Sequence, residues 1–363
     1  MSMSVNQLTF AAFLGLACFG SGPATAQSAQ GQLNLGASHS SRYGSAVDLS
    51  FRGTDLGGYG INAFVAAKNG GEGRQLSFNV ERQIGLDDTR LGRDTQLYLG
   101  ISGKSSAWEV DAFDSKNIGL EVSYDAEIRP NLRYSAGLFW QRDTLEDFSA
   151  GTSAFLVADE GTTDAAGAHF GLIWDTYLED GPLAIGADAG VQLRVAGLGG
   201  GRDFKSMTAF AHTTRPLVRD AVLRLEVQGG AINSSDGVHL IDRAFSPAGG
   251  LRGFTYAGIT PRDSATGDAL GGTKYVSASV EALAPYGTRG IAVGAFADVG
   301  SVWSLPDIVS PLVDDKFELR SSVGLTLKWK TASSYLDISL AAPVEYLESD
   351  DKKTFSISFG SEF

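Results

Sequence analysis

The chain has almost no cysteine: Cys18 is the only one in 363 residues. It lies in an apolar, uncharged leader, so the remainder has no thiolate nucleophile, no thiolate metal site and no disulfide framework. Positive charge is scarce too. Twenty-nine Lys and Arg face 42 Asp and Glu, a formal net charge of −13, which argues against a nucleic-acid partner. Beyond the leader no apolar run approaches the ~18 residues of a membrane-spanning helix. No helical periodicity is sustained between Gln27 and Phe363. The four histidines, His39, His169, His212 and His239, fall in separate runs and loops without metal-ligand spacing. No Gly-x-Ser-x-Gly elbow occurs, and neither Gly197–Gly201 nor Gly271-Gly272-Thr273-Lys274 joins a strand to a helix as a phosphate cradle must. The sequence therefore offers no catalytic constellation, no metal site and no cofactor, and the expectation is a protein that is not an enzyme.

The leader has a meaning of its own. Residues 1–26 contain no Asp, Glu, Lys or Arg, carry an apolar core from Leu8 to Phe19, and end in Ala24-Thr25-Ala26. That pattern is a secretory signal peptide cleaved after Ala26, although its first seven residues lack the usual Lys or Arg. The protein is expected to be exported.

What the chain has in quantity is glycine, 46 residues, with 10% aromatics and a mean hydropathy of −0.02. Short stretches alternate apolar and polar with period two, separated by turn residues. Sixteen such runs lie near 32–40, 44–54, 58–68, 74–83, 95–104, 118–127, 131–141, 167–177, 183–195, 205–214, 219–230, 272–285, 288–300, 318–330, 334–345 and 354–363. Most approach the ~9–11 residues of a tilted transmembrane strand. No linker or repeat divides residues 27–363, which read as one all-β domain.

A soluble sandwich and a membrane barrel would both alternate, and two features favour the barrel. Connections after even-numbered runs are mostly tight, as at Arg129-Pro130, Pro216-Leu217 and Tyr286-Gly287, whereas odd-numbered runs are followed by long segments at 142–166, 231–271 and 301–317. Short periplasmic turns opposite long external loops mark an outer-membrane barrel. The apolar face also carries no charge. Leu183, Ile185, Ala187, Ala189, Val191, Leu193 and Val195 oppose Asp188, Gln192 and Arg194, and Val323, Leu325, Leu327 and Trp329 oppose Arg320, Ser322, Thr326 and Lys328. This fits a lipid-facing exterior around a polar lumen. The chain ends on a last strand with Phe355, Ile357, Phe359 and the terminal Phe363 on one face, a pattern similar to the carboxy-terminal signal of bacterial outer-membrane proteins. The expectation is an all-β, membrane-spanning antiparallel β-barrel of sixteen strands in the outer membrane of a Gram-negative bacterium. Asp314-Asp315 and Asp350-Asp351 read as solvated external loops.

One stretch is more specific. Gly249-Gly250-Leu251-Arg252-Gly253-Phe254 sits in the long segment 231–271. It is followed by a run that places Tyr275, Ser277, Ser279 and Glu281 on a mostly polar register, then by Phe296-Ala297-Asp298-Val299-Gly300, then by Gly324-Leu325-Thr326-Leu327-Lys328-Trp329. In this order the motifs resemble the carboxy-terminal barrel of the BamA/TamA superfamily of bacterial surface antigens and outer-membrane assembly factors, which includes two-partner secretion transporters. The similarity is strong over about 245–363; the earlier strands are supported mainly by their number.

The resemblance implies roles residue by residue. Arg252, in the loop motif Leu251, Arg252, Gly253 and Phe254, would fold into the lumen and meet Glu281 and Asp298 on the strand wall. Gly253 would allow a tight turn. Phe254 would pack against the wall beside Phe296, near Gly300. A guanidinium fork suits two carboxylates in a confined polar space. The bland reading is an exposed arginine and two unrelated lumenal acids. Family members carry periplasmic POTRA domains before the barrel, and here only about Gln27 to Gly31 precede the first run, so a POTRA-less barrel is expected.

Two functions follow. One is protein insertion or translocation through a lateral seam between the first and last strands, with outer-membrane lipid, unfolded outer-membrane or secreted proteins and a separate periplasmic docking protein as partners of a monomeric barrel. The other is a passive pore or surface antigen that keeps the fold without assembly activity.

Overall fold

A computed structural model describes residues 30–40, 44–70, 73–86, 92–108, 113–177, 181–247, 250–287, 290–331 and 334–362. Residues 1–26, read above as a signal peptide, Gly249 and the terminal Phe363 lie outside the described residues. The strands are, in chain order, β1 (Gln30–Ser40), β2 (Gly44–Thr54), β3 (Ile61–Gly70), β4 (Gly73–Leu86), β5 (Arg93–Trp108) and β6 (Asp114–Arg129). They continue as β7 (Leu132–Glu146), β8 (Gly161–Asp175), β9 (Gly186–Gly200), β10 (Phe204–Pro216), β11 (Val222–Asn233) and the two-residue β12 (Gly253–Phe254). The last are β13 (Lys274–Tyr286), β14 (Ile291–Trp303), β15 (Arg320–Lys330), β16 (Ser334–Glu345), the two-residue β17 (Lys352–Lys353) and β18 (Phe355–Glu362). The one described α-helical turn is α1 (Ala154–Val157).

Sixteen strands form one closed antiparallel barrel, while β12 and β17 pair only with each other. Neighbours in sequence are neighbours in the sheet, with β11 beside β13 and β16 beside β18. The ring closes where β1 pairs with β18 as well as with β2. Among the described residues no helix is long and apolar enough to cross a membrane. Strands must then make the crossing, and a closed sheet leaves no unpaired backbone edge in lipid.

All sixteen alternating runs appear as barrel strands. They differ in length: β5 and β6 each have 16 residues, and β7, β8 and β9 have 15. The bilayer requires only ~9–11 of these. The additional residues include Ser105, Ser106, Asp114–Asn117 and Arg142–Glu146, where polar side chains interrupt the apolar alternation although the backbone ladder continues. Alternation reports the lipid-facing part of a strand, and hydrogen bonding carries the strand beyond it.

The two faces differ as expected of a barrel in lipid. On β15, Leu325 is 62% and Val323 47% exposed and both point outward, while Arg320, Ser322 and Thr326 on the opposite face are buried. On β9, Leu193 and Val195 are exposed on the outer face. His169 lies inward within 3.6 Å of Glu121, and His212 within 3.2 Å of Asp188. Side chains of β18 follow the same rule where described: Phe355 is exposed and Ile357 half-buried, and the backbone register sets Phe359 opposite Ala37 and Leu336.

Connections at one end are short, as at 130–131 and 217–221. At the other end three long loops, 147–160, 234–273 and 304–319, pack on one another. Leu156, Leu240, Leu270 and Leu305 form a small apolar core there with Leu145, Phe148, Phe245 and Ile308. Polar contacts fix it. Ser153 donates from its backbone N–H to Asp268 (2.7 Å) and from its hydroxyl to Asp263 (2.6 Å), and Asp159 accepts from the Leu240 N–H (2.8 Å) and pairs with Arg243 (3.3 Å). These loops form a cap held by its own core.

A charge placed on the outer band tests the facing. Leu325→Arg, at the centre of β15, should lower the unfolding free energy by about 2–4 kcal/mol in denaturant titrations in lipid vesicles, and the same change at the inward Thr326 should cost less. Equal losses at both positions would contradict the assignment of faces.

Candidate functional site

Three adjacent strands build the inner wall that receives the motif. Period two places Ser277, Ser279 and Glu281 of β13 on the inner face, with Phe296, Asp298 and Gly300 of β14 and Arg320, Ser322 and Gly324 of β15. The ladder then lines them up in rows. Glu281 lies opposite Phe296 and Phe296 opposite Gly324; Ser279 lies opposite Asp298 and Asp298 opposite Ser322; Ser277 lies opposite Gly300 and Gly300 opposite Arg320. Residues up to 47 positions apart in sequence become one grid on three adjacent strands.

The loop 234–273 folds inward onto this grid at Leu251–Phe254. Arg252 donates from Nε to Asp298 Oδ2 (2.7 Å), from Nη2 to Asp298 Oδ1 (2.7 Å) and Ser279 Oγ (2.9 Å), and from Nη1 to Glu281 Oε1 (2.5 Å). The Ser279 hydroxyl in turn donates to Asp298 Oδ1 (2.7 Å). The Arg252 Cζ sits over the Phe296 ring, 3.5 Å from its centroid. Glu281 and Asp298 are only 3% and 5% exposed. Two carboxylates so withdrawn from water need a cation, and a planar fork above an aromatic face supplies charge and directed donors together.

The backbone of the motif is fixed as tightly as its side chain. Gly253 has φ of +94°, in the left-handed region, and a Cβ there would lie 2.9 Å from the Ser322 Cβ. Ser322 Oγ donates to the Arg252 carbonyl (2.5 Å). Gly300 leaves room for Leu251, whose Cδ1 would stand 3.3 Å from a Cβ at that position. Phe254 does not pack beside Phe296, the position expected from the sequence. It joins Leu251, Ile259 and Val302 in a separate apolar cluster, because the space over Phe296 is taken by the Arg252 guanidinium.

Several partners were not singled out from the sequence. Glu281 Oε2 also faces Lys328 Nζ (3.6 Å) and Arg224 Nη1 (3.9 Å), and Lys328 pairs with Asp337 of β16 (3.1 Å). Ser279 shares the inward register of Glu281 two residues away on β13, and Ser322 lies inward opposite Asp298 across the β14–β15 ladder; that register is the available signal. Asp350 corrects another expectation. It is not a solvated loop residue but 7% exposed, paired with Arg320 (3.1 Å), because the connection after β16 turns back over the end of β15. Among the described residues no group of His, Cys, Asp and Glu could hold a metal ion.

Removing the guanidinium strands the two acids. Arg252→Ala should cost about 3–5 kcal/mol in unfolding free energy, the range for breaking a buried ion pair. Arg252→Lys should recover only part of it, since a point charge cannot serve both carboxylates with directed bonds. Gly253→Ala, which keeps Arg252, should expose the loop to limited proteolysis as Arg252→Ala does. A loop equally protected in all three variants would contradict the clamp.

The chain matches the Omp85 superfamily domain over residues 25–363. It is 25% identical over 341 residues to the outer membrane protein assembly factor BamA of Neorickettsia risticii, covering 92% of this chain and 45% of that protein. It is 24% identical over 280 residues to BamA of Nitratidesulfovibrio vulgaris, covering 74% of this chain and 35% of that one. The chain thus spans less than half the length of these relatives. Among solved structures it is similar to BamA from Haemophilus ducreyi lacking POTRA domains 1–3, with a TM-score of 0.75 and 19% identity over 93% of this chain and 71% of that one. It is also similar to CdiB from Acinetobacter baumannii, with a TM-score of 0.63 and 12% identity over 93% of this chain and 60% of that one. The chain belongs to the Omp85 superfamily and is an outer-membrane β-barrel protein of a Gram-negative bacterium.

Proposed function

We propose that this barrel inserts or translocates proteins at the outer membrane by opening laterally between β1 and β18, without any enzymatic step. The observation that carries the reading is the poor pairing of that seam. Among the described residues β1 and β18 share six residue pairs and β16 and β18 seven, against eleven between β1 and β2 and thirteen between β13 and β14. Gly36 faces Gly360 in the middle of the six, so no side chains pack across that point. An unpaired strand edge in hydrocarbon costs several kcal/mol per polar group. A substrate strand that pairs with the edge as it opens removes that cost, which makes opening dependent on substrate by β-augmentation.

The Arg252 clamp complements a weak seam. It holds β13 and β14, separated from β18 by β15 and β16, in one shape while β1 and β18 separate. The cap supports this reading over a passive pore, since three long loops pack on one another at one end of the barrel around a core of their own. Unfolded outer-membrane or secreted proteins are the substrates, delivered by a separate periplasmic docking protein.

Assisted insertion tests the proposal. The barrel is refolded into liposomes, an unfolded small barrel protein is added, and its protease protection is followed beside empty liposomes and the Arg252→Ala variant. Acceleration that falls on Arg252→Ala supports the reading. High, steady conductance in planar bilayers without any acceleration would replace it with a passive pore.

A further inference from the structure

The inward loop is bonded to more than the wall. Beyond Arg252 it makes a second set of contacts with the connection 346–354, which runs from β16 directly into the seam strand β18. Gly253 and Phe254 of β12 pair with Lys353 and Lys352 of β17, and a single residue, Thr354, separates β17 from β18. The pairing continues on the loop side: the Thr255 N–H donates to the Asp351 carbonyl (3.0 Å), and the Asp351 N–H donates to the Gly258 carbonyl (3.0 Å). Arg262 Nη2 donates to the Asp351 carboxylate (2.7 Å). Gly258 is there because nothing larger fits: a Cβ would lie 2.6 Å from the Asp351 carbonyl oxygen. The other side of the connection is fixed to β15 by the buried Arg320–Asp350 pair, and Asp350 also accepts from the Leu347 N–H (2.8 Å). Thr354 accepts from the Ala341 N–H of β16 (2.8 Å).

We infer that Gly258, Arg262 and Asp351 are positioning residues that couple the Arg252 clamp to the seam. The inward loop and the base of β18 are one hydrogen-bonded ribbon. With Arg252 seated on Glu281 and Asp298, the ribbon holds the start of β18 at a fixed depth and orientation, in register with β1. When the loop shifts, the ribbon carries the start of β18 with it, and the six-pair seam loses register. The backbone makes most of this ribbon, so exposure of the Arg262–Asp351 pair does not remove the coupling.

The inference rests on the proposed seam, and its test reads the seam without reading insertion. In a Cys18→Ser background, cysteines are placed at the opposed positions Ala37 and Phe359 across the seam, and, in a separate protein, at Val191 and Ala209 across β9 and β10. Disulfide yield is measured in liposomes with the barrel refolded. Gly258→Ala, which forces loop and connection apart, and the milder Arg262→Ala should each lower the yield at the seam pair severalfold while leaving the β9–β10 pair unchanged. Arg262→Lys, which still reaches Asp351, should restore it. Arg252→Ala should lower the seam yield too, and combining it with Gly258→Ala should add little, because both cut one path. An equal fall at both cysteine pairs would mean general destabilisation and would overturn the coupling. A seam that loosens with added unfolded substrate but ignores Gly258→Ala and Arg262→Ala would overturn the coupling and leave the seam reading intact. A seam indifferent to substrate and to every variant would sink both.

Discussion

Everything in this barrel follows from one constraint: in hydrocarbon no backbone N–H or carbonyl can be left without a partner. Among the described residues no helix is long and apolar enough to cross, so the strands meet that constraint by pairing until the first meets the last. Closure then creates an interior that lipid does not reach, and the inward half of each strand becomes free to be polar. Glu281 and Asp298 exist as buried acids because the fold provides this second environment. Their burial in turn requires a cation, and the inward loop supplies it in Arg252. Lipid outside thus leads, by two steps, to a guanidinium inside.

The same logic explains where glycine is used. Gly253 and Gly258 lie where backbone meets wall or backbone at distances that exclude a side chain. At the seam the opposed Gly36 and Gly360 have the contrary effect, since they omit the cross-strand packing that strengthens other pairs. One residue type serves close approach in the loop and weak adhesion at the edge.

Much of this was legible in the sequence, for identifiable reasons. Period-two alternation marks a strand because one face meets lipid, so the sixteen strands and their facing could be read directly. Alternation fades where β5 to β9 leave the apolar band, so the alternating runs stop short of at least one end of each of these strands. The Arg252–Glu281–Asp298 set came from a resemblance of motifs; order and register alone allowed an exposed arginine as well. Phe254 was assigned the wrong neighbour because no sequence rule reveals that a guanidinium already covers Phe296. Asp350 reads as a solvated residue from the sequence because its partner, Arg320, lies 30 residues away, beyond any local pattern. Contacts between loops, including the β12–β17 ribbon, leave no periodic trace.

The distances along the chain also set an order of assembly. Arg252 meets partners 27, 29 and 46 residues away, and its carbonyl meets Ser322 at a separation of 70. The closing pair instead joins Ala37 to Phe359, nearly the whole chain. Contacts near in sequence cost less loop entropy and form earlier. The clamp therefore forms on an open, curved sheet whose inner face is still accessible, and the wall closes around a loop already in place. The long segment 234–273 never has to be threaded into a finished barrel.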